Sequence, residues 1–248
     1  MNLLAVDTST EACSLALAAG GRLYFSHVVA GRDHTSLLLP LLHQLMTEAG
    51  VGFAQLDGLV SGVGPGSFAG VRIGVGFVKG LALARDLPVV GVSSLASLAQ
   101  GAMRRTGVTR VMACIDARMH EVYVGHFERD ADGLARAVDA PRVCAPEEVV
   151  FTRSAPWAVA GTGWGTYGAT LRTRFTSAPV AEETQALPEA ADALVLGKQA
   201  FEQGKAISAD KLEPVYLRDT VALKLEQQAA VRALRRLAAT SSPPKEHP

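Results

Sequence analysis

Two halves of the sequence repeat one order of elements, and this repeat limits the folds open to the chain. In the first half an apolar run at 3–6 ends at Asp7, and two further apolar runs cover 12–18 and 23–29. Short apolar runs separated by turn residues such as Gly20 are typical of strands. The first half therefore predicts a three-stranded meander whose first strand ends in an acid.

The same order begins again in the second half. A run at 111–115 ends at Asp116, and another run covers 121–127. Each half also contains a strand-like run that leads into a glycine-rich turn, at 59–66 and at 157–165. A duplicated order of this kind predicts an α/β protein of two lobes, each with a mixed sheet flanked by helices. The Asp turns and the glycine turns are expected to meet at the cleft between the lobes, where ligands tend to bind.

The repeat also sets the expected domain boundaries. The N-terminal lobe is expected to span 1–106 and to carry the first glycine-rich turn, and the C-terminal lobe is expected to span 107–220. A last helix at 223–237 and a disordered tail are expected within 221–248. Four helices are predicted inside the lobes, at 36–50 with Ser36 as its cap, at 69–85, at 94–105 and at 187–204.

Composition and charge exclude several classes of protein. Lys and Arg number 24 and Asp and Glu number 24, so no net positive field draws the chain to nucleic acid unaided. The sequence lacks a positively charged start and any apolar run of about eighteen residues, which argues against a secretion signal and a membrane helix. Three cysteines without paired spacing argue against a disulfide framework and a zinc site. We expect a soluble cytoplasmic protein.

The segment GPGSFA at 64–69 follows an apolar run and precedes a helical pattern. It satisfies the loose dinucleotide motif of glycine, any residue, glycine, two residues and a small residue. The acid that belongs to this motif should end the next strand, whereas Asp86 precedes that strand, and no Gly-Lys-Ser/Thr follows for a Walker loop. Two interpretations stay open: a left-handed turn between strand and helix, and a weak anion site at the helix N-terminus.

Candidates for nucleotide binding combine this turn with the acidic turn after the first strand. Asp7-Thr8-Ser9 places a carboxylate beside two hydroxyl groups, which suits contact with phosphate or metal-bound water, although a lone Asp at a turn is usually a local hydrogen-bond acceptor. No cofactor is required by these patterns. The nucleotide considered is ATP or ADP, either weakly bound or held at a subunit interface. The candidate cofactor-binding residues are Asp7, Thr8, Gly64, Gly66 and Ser67.

Signatures of catalysis are missing from the sequence. The six histidines form no pair at helical ligand spacing and no His-Glu-x-x-His motif, so no metal site is predicted. Ser67 does not lie in a Gly-x-Ser-x-Gly elbow, and no cysteine has a recognisable base. We therefore predict no catalytic residues.

Two helices of the first half carry patterns that suit a protein interface. The second helix has small residues at helical spacing, at Gly70, Gly74, Gly76 and Gly80. Each interior glycine costs about 1 kcal/mol relative to alanine, so close packing must compensate, either within the lobe or against a second protein. The leucine-rich first helix is apolar around more than one face. The predicted partner interface consists of Leu38, Leu42, Arg72, Gly76, Lys79 and Gly80.

Four segments resemble the TsaB (YeaZ) family, which are bacterial relatives of TsaD. They are LLAVDTST at the start, GPGSFAGVRIGVGFVKGLA, PVVGVSSLASLA and, near the end, PVYLR. The resemblance covers residues 1 to about 220 and departs from the family at Ala69, where threonine is usual. It implies a two-lobed actin/Hsp70/sugar-kinase-like (ASKHA) fold and a role in making threonylcarbamoyladenosine in tRNA.

The resemblance also implies partners. TsaD is expected to form a heterodimer with this chain, TsaE to join the complex, and tRNA to be reached only through it. The same surface is expected to pair two copies of the chain when TsaD is absent. TsaD binds a metal through a His-x-x-x-His motif, and the matching positions here hold Ser94 and Leu98, which implies a non-catalytic subunit. An ATP-binding and ATP-hydrolysing enzyme that acts in the inter-lobe cleft is the alternative.

Overall fold

Two mixed β-sheets and their flanking helices make up the part of the chain that the computed structural model describes, residues 1–150 and 156–218. Residues Met1–Leu217 cluster into one unit that contains both sheets. None of the helices in the described ranges is long and apolar enough to cross a membrane.

The first sheet has five strands in the order β3-β2-β1-β4-β5. Its central strand β1 is buried on both faces, as its unbroken apolar run requires, and it pairs antiparallel with β2 and parallel with β4. β2 pairs antiparallel with β3, and β4 pairs parallel with β5. The strands are β1 Leu3–Asp7, β2 Ala12–Ala19, β3 Arg22–Val29, β4 Gly58–Gly62 and β5 Val89–Val92.

The second sheet repeats the topology of the first. Its strand β6 pairs antiparallel with β7 and parallel with β10, as β1 pairs with β2 and β4. The order is β11-β10-β6-β7-β8, and β9 pairs with β7. The duplication predicted from the sequence is therefore confirmed at the level of the sheets. The strands are β6 Arg110–Arg118, β7 Glu121–Arg129, β8 Ala135–Ala137, β9 Arg142–Cys144, β10 Ala158–Ala160 and β11 Ala181–Glu183.

Four of the five α-helices of the described ranges lie close to their predicted positions, with one cap misplaced, and α4 was not predicted from the sequence. They are α1 His34–Ala49, α2 Phe68–Leu83, α3 Ser94–Thr106, α4 Thr162–Arg172 and α5 Ala190–Glu202.

Helix α1 starts three residues earlier than the sequence analysis predicted, because its first helical residue is His34 and not Leu37. Asp33 occupies the N-cap position, and Ser36 does not cap the helix, because its hydroxyl donates to the Asp33 carbonyl at 2.8 Å. Pro40 consequently lies inside the helix and not in its first turn. The predicted end is confirmed, because Gly50 adopts the left-handed conformation (φ 66°) and closes the helix.

Two helices pack on the sheet of the other predicted lobe: α3 on the second sheet and α5 on the first. α1 and α2 cover one face of the first sheet, where residues such as Leu15 and Leu59 meet Leu45 and Val78. α5 covers the opposite face of that sheet, although its sequence position suggested the C-terminal lobe. α3 packs against the second sheet, although it was predicted to belong to the N-terminal lobe. Apolar periodicity shows that a helix has a face to bury, but it does not show which sheet receives that face.

The second glycine turn is shorter than the sequence analysis predicted. Only Gly161 (φ 117°) lies in the turn, because α4 begins at Thr162 and the next two glycines are helical. A Cβ atom at Gly161 would overlap the carbonyl oxygen of Cys114 on β6, so this turn presses against the central strand of the second sheet. The helix predicted at 223–237 and the tail lie outside the described residues.

Candidate functional site

The turn after β1 is buried together with its polar groups. The Asp7 side chain is 1% exposed, and Thr8 and Ser9 beside it are equally inaccessible. Asp7 Oδ1 accepts the Ser9 N–H at 2.8 Å and the Ser9 hydroxyl at 2.6 Å, while its Oδ2 has no hydrogen-bond partner within the described ranges. Burial raises the pKa of Asp7 to about 6, and the two Ser9 hydrogen bonds only partly oppose this shift.

The glycine-rich turn and helix α2 cover this acidic turn directly. A Cβ atom at Gly62 would overlap the Asp7 carboxylate, and one at Gly66 would overlap the Ser9 carbonyl oxygen. A Cβ atom at Gly70 would overlap the Thr8 carbonyl oxygen, and one at Gly74 would lie 2.6 Å from Thr8 Oγ1. These four glycines therefore permit close contact within the chain. The segment is rich in glycine because a side chain at these positions would overlap the acidic turn.

Hydrogen bonds lock the two turns together. The Ser67 N–H donates to the Ser9 carbonyl at 2.6 Å, and the Thr8 hydroxyl donates to the Gly70 carbonyl at 2.7 Å. The Ser67 hydroxyl accepts the Gly70 N–H at 3.3 Å and caps α2. A phosphate could reach Asp7 or Thr8 only if the glycine turn moved away from the acidic turn.

The candidate cofactor-binding residues thus fall into two groups. Asp7, Thr8 and Gly64 are buried, so they line no cleft open to a nucleotide in this structure. Gly66 is half-buried and Ser67 is exposed at the N-terminus of α2, where a weak anion contact stays a prediction. Gly64 (φ 99°) has the positive φ that the first interpretation requires, whereas Gly66 permits close packing against Ser9.

A histidine and a cysteine complete the buried polar cluster. His34 is buried at the start of α1, and its Nε2 lies 2.8 Å from the Thr10 carbonyl oxygen. Cys13 lies on β2, and burial together with the nearby Asp7 raises the pKa of its thiol to about 11. Sequence analysis did not place these residues beside Asp7, because a buried histidine at a helix start carries no distinctive spacing.

The equivalent acid of the second half lies in a more open environment. Asp116 near the end of β6 accepts the Arg118 N–H at 2.8 Å and forms an ion pair with the Arg118 guanidinium at 3.1 Å. Its own N–H donates to the Thr162 hydroxyl at 3.1 Å. The two Asp turns therefore differ. The Asp7 turn is covered by glycines, whereas Asp116 is paired with the exposed side chain of Arg118.

The leucines predicted to contact a partner are part of the core. Leu38 is 2% exposed and Leu42 is 4% exposed, and both pack against the first sheet. Leu38 therefore does not lie at an exposed interface, whereas Leu42, although buried, also lines the groove between α1 and α2 that is described below. A helix that is apolar on several sides does not reveal which leucines face inward, and the exposed leucine of α1 is Leu39.

The predicted interface residues of α2 differ in their availability. The Arg72 guanidinium stacks over the Phe68 ring, with its central carbon 3.4 Å from the ring centroid, and it also lies 4.9 Å from the Tyr216 ring. Lys79 donates to the Asp210 carbonyl at 3.1 Å. Both cations therefore hold the segment after α5 against α2.

Gly76 and Gly80 remain open on the same helix. Each glycine is exposed, and a Cβ atom at either position would meet no atom within 4 Å. Beside this surface, α1, the turn after it and α2 enclose an apolar groove of about 560 Å³ whose lining includes Leu39, Met46, Phe53 and Leu81. We call Gly76, Gly80 and this groove the α1–α2 surface.

Ser94 and Leu98, the two positions that the resemblance matches to a metal-binding motif, are buried in α3. Ser94 and Leu98 face the interior, and Leu98 packs in the core of the second sheet. Among the residues that the structure describes, no group of three or more His, Cys, Asp and Glu side chains could hold a metal ion. A serine and a leucine in these positions do not fit a transition metal.

Comparison with known proteins agrees with these features. The family model of TsaD, tRNA N6-adenosine threonylcarbamoyltransferase, matches residues 28–224. The tRNA threonylcarbamoyladenosine biosynthesis protein TsaB of Escherichia coli is 41% identical over 235 residues, which cover 90% of this chain and 97% of that protein. The protein of the same name from Haemophilus influenzae is 38% identical over 232 residues, covering 90% and 96%.

A solved structure supports the same relationship. YeaZ from Pseudomonas aeruginosa superposes with a TM-score of 0.82 at 45% sequence identity, covering 87% of this chain and 99% of that chain. The two-lobed actin/Hsp70/sugar-kinase-like fold is thereby confirmed. The sealed turn after β1, the glycine-rich start of α2 and the extent of these matches lead to one conclusion: the chain belongs to the TsaB (YeaZ) family.

Proposed function

We propose that the chain is a non-catalytic subunit in the synthesis of threonylcarbamoyladenosine in tRNA and that it binds TsaD through the α1–α2 surface. The names of the relatives in Escherichia coli and Haemophilus influenzae support the pathway. TsaE is proposed as a further partner, and tRNA is reached only through the complex. The neutral net charge supports indirect contact with tRNA.

The open glycines of α2 are the observation that carries this proposal. Gly70 and Gly74 are needed for contact with the Thr8 turn, but Gly76 and Gly80 touch nothing within the described chain. Interior helical glycines cost about 1 kcal/mol each relative to alanine, so a close-packed partner gives these two a physical role. A second helix backbone fits against such a smooth surface.

The groove beside these glycines extends the surface. Its lining is mainly apolar and includes the exposed Leu39 and the half-buried Phe53 and Leu81. Exposed apolar surface of this kind marks protein contact sites. The family model of TsaD matches this chain, so the partner shares the fold, and related folds can pair through equivalent patches in a pseudo-symmetric manner.

The non-catalytic role is supported by the interior of α3. The resemblance matches Ser94 and Leu98 to the two histidines of a metal-binding motif, and both side chains are covered by the core. The Asp7 carboxylate is likewise covered and its Oδ1 is already occupied by Ser9. The proposal therefore requires neither a metal nor a nucleotide on this subunit.

A matched set of leucine substitutions tests the docking surface. Gly76→Leu and Gly80→Leu place a bulky side chain on the α1–α2 surface without an internal clash, so both variants should stay folded and fail to co-elute with TsaD. Ala169→Leu is the control, because Ala169 is an exposed helical residue of α4. Co-elution of the Gly76 and Gly80 variants at the level of the Ala169 variant would exclude this surface.

A leave-one-out reaction tests the role in the pathway. Purified chain, TsaD, TsaE, tRNA, ATP and threonylcarbamoyl-adenylate are mixed, and each component is omitted in turn. Omission of this chain should abolish modification of the tRNA, and the chain alone should form no product. Modification that persists without the chain would remove its assigned role.

A further inference from the structure

Within the described chain, two helices carry the polypeptide from one lobe to the other. α3 follows β5 of the first sheet but packs on the second sheet, and α5 follows β11 of the second sheet but packs on the first. The two crossings lie against each other, because a Cβ atom at Gly101 of α3 would overlap the Asp192 carboxylate of α5. Lobes joined in this way move relative to each other unless their interface holds them. Such a motion must slide or rotate α3 against α5.

One face of α5 is attached to the first sheet. Leu194 lies in the core on that sheet. A Cβ atom at Gly197 would overlap the Val60 side chain of β4, so the helix backbone lies close to the strand. The Ala190 N–H donates to the Ser14 hydroxyl of β2 at 2.9 Å. α5 therefore moves with the first lobe.

A cluster of charged side chains joins the start of α5 to the second lobe. Arg104 in the last turn of α3 binds both carboxylate oxygens of Asp192 at 3.0 Å, and Asp192 is buried. Arg105 binds both carboxylate oxygens of Glu183, the last residue of β11, at 2.9 Å. Glu189, the N-cap residue of α5, lies 3.3 Å from Arg104 and 2.5 Å from Arg105. Two-point pairs of this kind fix direction as well as distance. We call these five residues the charge clasp.

A second polar contact joins the same helix to the second lobe nearer its other end. The Gln199 side-chain amide donates to the Asp132 carboxylate at 2.7 Å, and its carbonyl oxygen accepts a hydrogen bond from the Arg136 guanidinium. Asp132 lies in the turn between β7 and β8, and Arg136 lies on β8. Asp130 holds Arg136 in place at 2.6 Å. We call Asp132, Arg136 and Gln199 the amide bridge.

The two contacts are placed so that they fix the orientation of α5. Asp192 and Gln199 are seven residues apart, so they lie on the same face of the helix and about 10 Å apart along its axis. By helical spacing this face lies roughly opposite the one that carries Leu194 and Gly197. One contact would leave α5 free to pivot, whereas two contacts at this distance oppose both pivoting and sliding.

We propose that the charge clasp and the amide bridge together lock the two lobes at one angle in the free chain. The first sheet carries α5 on one face, and the second lobe holds it on the other. A change in the angle between the lobes must therefore break both polar contacts. The lock is a conformational device built into the two crossings of the chain.

This lock is independent of the proposed function, because it shares no residue with the α1–α2 surface. Gly76→Leu should leave the angle between the lobes unchanged. Arg105→Ala should leave co-elution with TsaD unchanged, since the docking surface lies on the first lobe alone. The two proposals therefore fail separately.

Distances between spin labels on the two lobes test the lock. Gln44→Cys on α1 and Ala169→Cys on α4 place one label on each lobe at exposed helical positions, and the native cysteines are buried and stay unlabelled. Pulsed electron double resonance should give one narrow distance distribution for the otherwise unchanged chain. Arg105→Ala combined with Gln199→Ala should make this distribution about twice as wide, because further lobe angles become populated.

Matched measurements separate the lock from a general loss of structure. Lys198→Ala removes a cation of the same helix whose ion pair, with Glu202 at 3.9 Å, stays within α5, so the distribution should stay narrow. Hydrogen exchange of the buried amides of β1 and β6 should be the same in all variants, because both sheets stay folded. A narrow distribution for the double variant, or an equally broad one for Lys198→Ala, would overturn the proposal.

Salt tests the charge clasp without removing an arginine. The Glu183 and Glu189 side chains are 21% and 23% exposed, so ions reach the clasp. In the Gln199→Ala variant the clasp acts alone, and about 1 M salt, which shortens the Debye length to about 3 Å, should broaden the distribution. A distribution equally narrow at low and high salt would show that apolar packing alone sets the angle, which would also overturn the proposal.

Discussion

Gly74 and Gly76 provide a matched test of the close contact between α2 and the Thr8 turn. Both lie in the interior of the same helix, so replacing either by alanine brings the same gain in helix propensity, about 1 kcal/mol. A Cβ atom at Gly76 meets nothing within 4 Å, whereas one at Gly74 lies 2.6 Å from Thr8 Oγ1. The two substitutions should therefore differ only by the cost of this contact.

The cost follows from how firmly Thr8 is held. Ordinary contact begins at 3.4 Å, so the atoms would be about 0.8 Å too close. The Thr8 hydroxyl is buried and donates to the Gly70 carbonyl, so rotating it away would break a buried hydrogen bond. Overpacking of this kind costs about 1–3 kcal/mol. We expect Gly76→Ala to be about 1 kcal/mol more stable than the parent and Gly74→Ala to be about 1–3 kcal/mol less stable than Gly76→Ala.

Urea denaturation of both variants measures this difference, and thermal unfolding should show it as about 2–4 °C per kcal/mol. Thr8→Ala in the Gly74→Ala background removes the clashing oxygen and should recover part of the loss, which a double-mutant cycle isolates. Equal stability of the two single variants would refute the account of why the glycine turn and the acidic turn are locked together.

Three further predictions concern buried polar groups. The Ser14 hydroxyl accepts the Ala190 N–H at 2.9 Å at the start of α5, so Ser14→Ala should destabilise the fold by about 1–2 kcal/mol in urea denaturation, and an unchanged midpoint would contradict this. The folded pKa of Asp7, about 6, lies above its unfolded value, so the protonated form is favoured by folding and stability should fall by roughly 2–3 kcal/mol as the pH rises from 4 to 7. Asp7→Asn should flatten this part of the pH profile, and an equally steep profile in the variant would assign the effect to another group. Arg104→Ala leaves the buried Asp192 without its partner at 3.0 Å, and because the Arg104 side chain is half exposed we expect a loss of about 2 kcal/mol in thermal unfolding, with no loss at all as the contrary result.

Sequence analysis predicted the sheets better than the packing of the helices. The repeated strand order places β1 and β6 correctly because short apolar runs and turn residues act locally. The exchange of α3 and α5 between the sheets depends on contacts between residues far apart in the chain, such as Leu95 with Phe127, which no local pattern records. The same limit explains the misassigned Leu38, because its apolar character indicates burial or docking without distinguishing the two.

Sequence analysis singled out the parts of the candidate site but not the contacts between them. The spacing of small residues indicated a close neighbour, which Gly70 and Gly74 have. Sequence alone could not show that Gly70 and Gly74 lie against the Thr8 turn. Nor could it show that Gly76 and Gly80 have no such neighbour in the described chain. Whether a glycine touches its own chain or faces outward depends on the rotation of the helix, which a spacing of four residues does not fix.

The return of the chain to its first sheet has a consequence for synthesis on the ribosome. Strands β1 to β5 emerge early, but one face of their sheet stays uncovered until α5 is made, and Ala209 and Leu212 fill the other core later still. At 5–20 residues per second the interval between Val92 and Leu212 is on the order of ten seconds. During that time the earliest part of the nascent polypeptide exposes apolar surface, so chaperone demand should peak before the segment from α5 to Leu212 has been made.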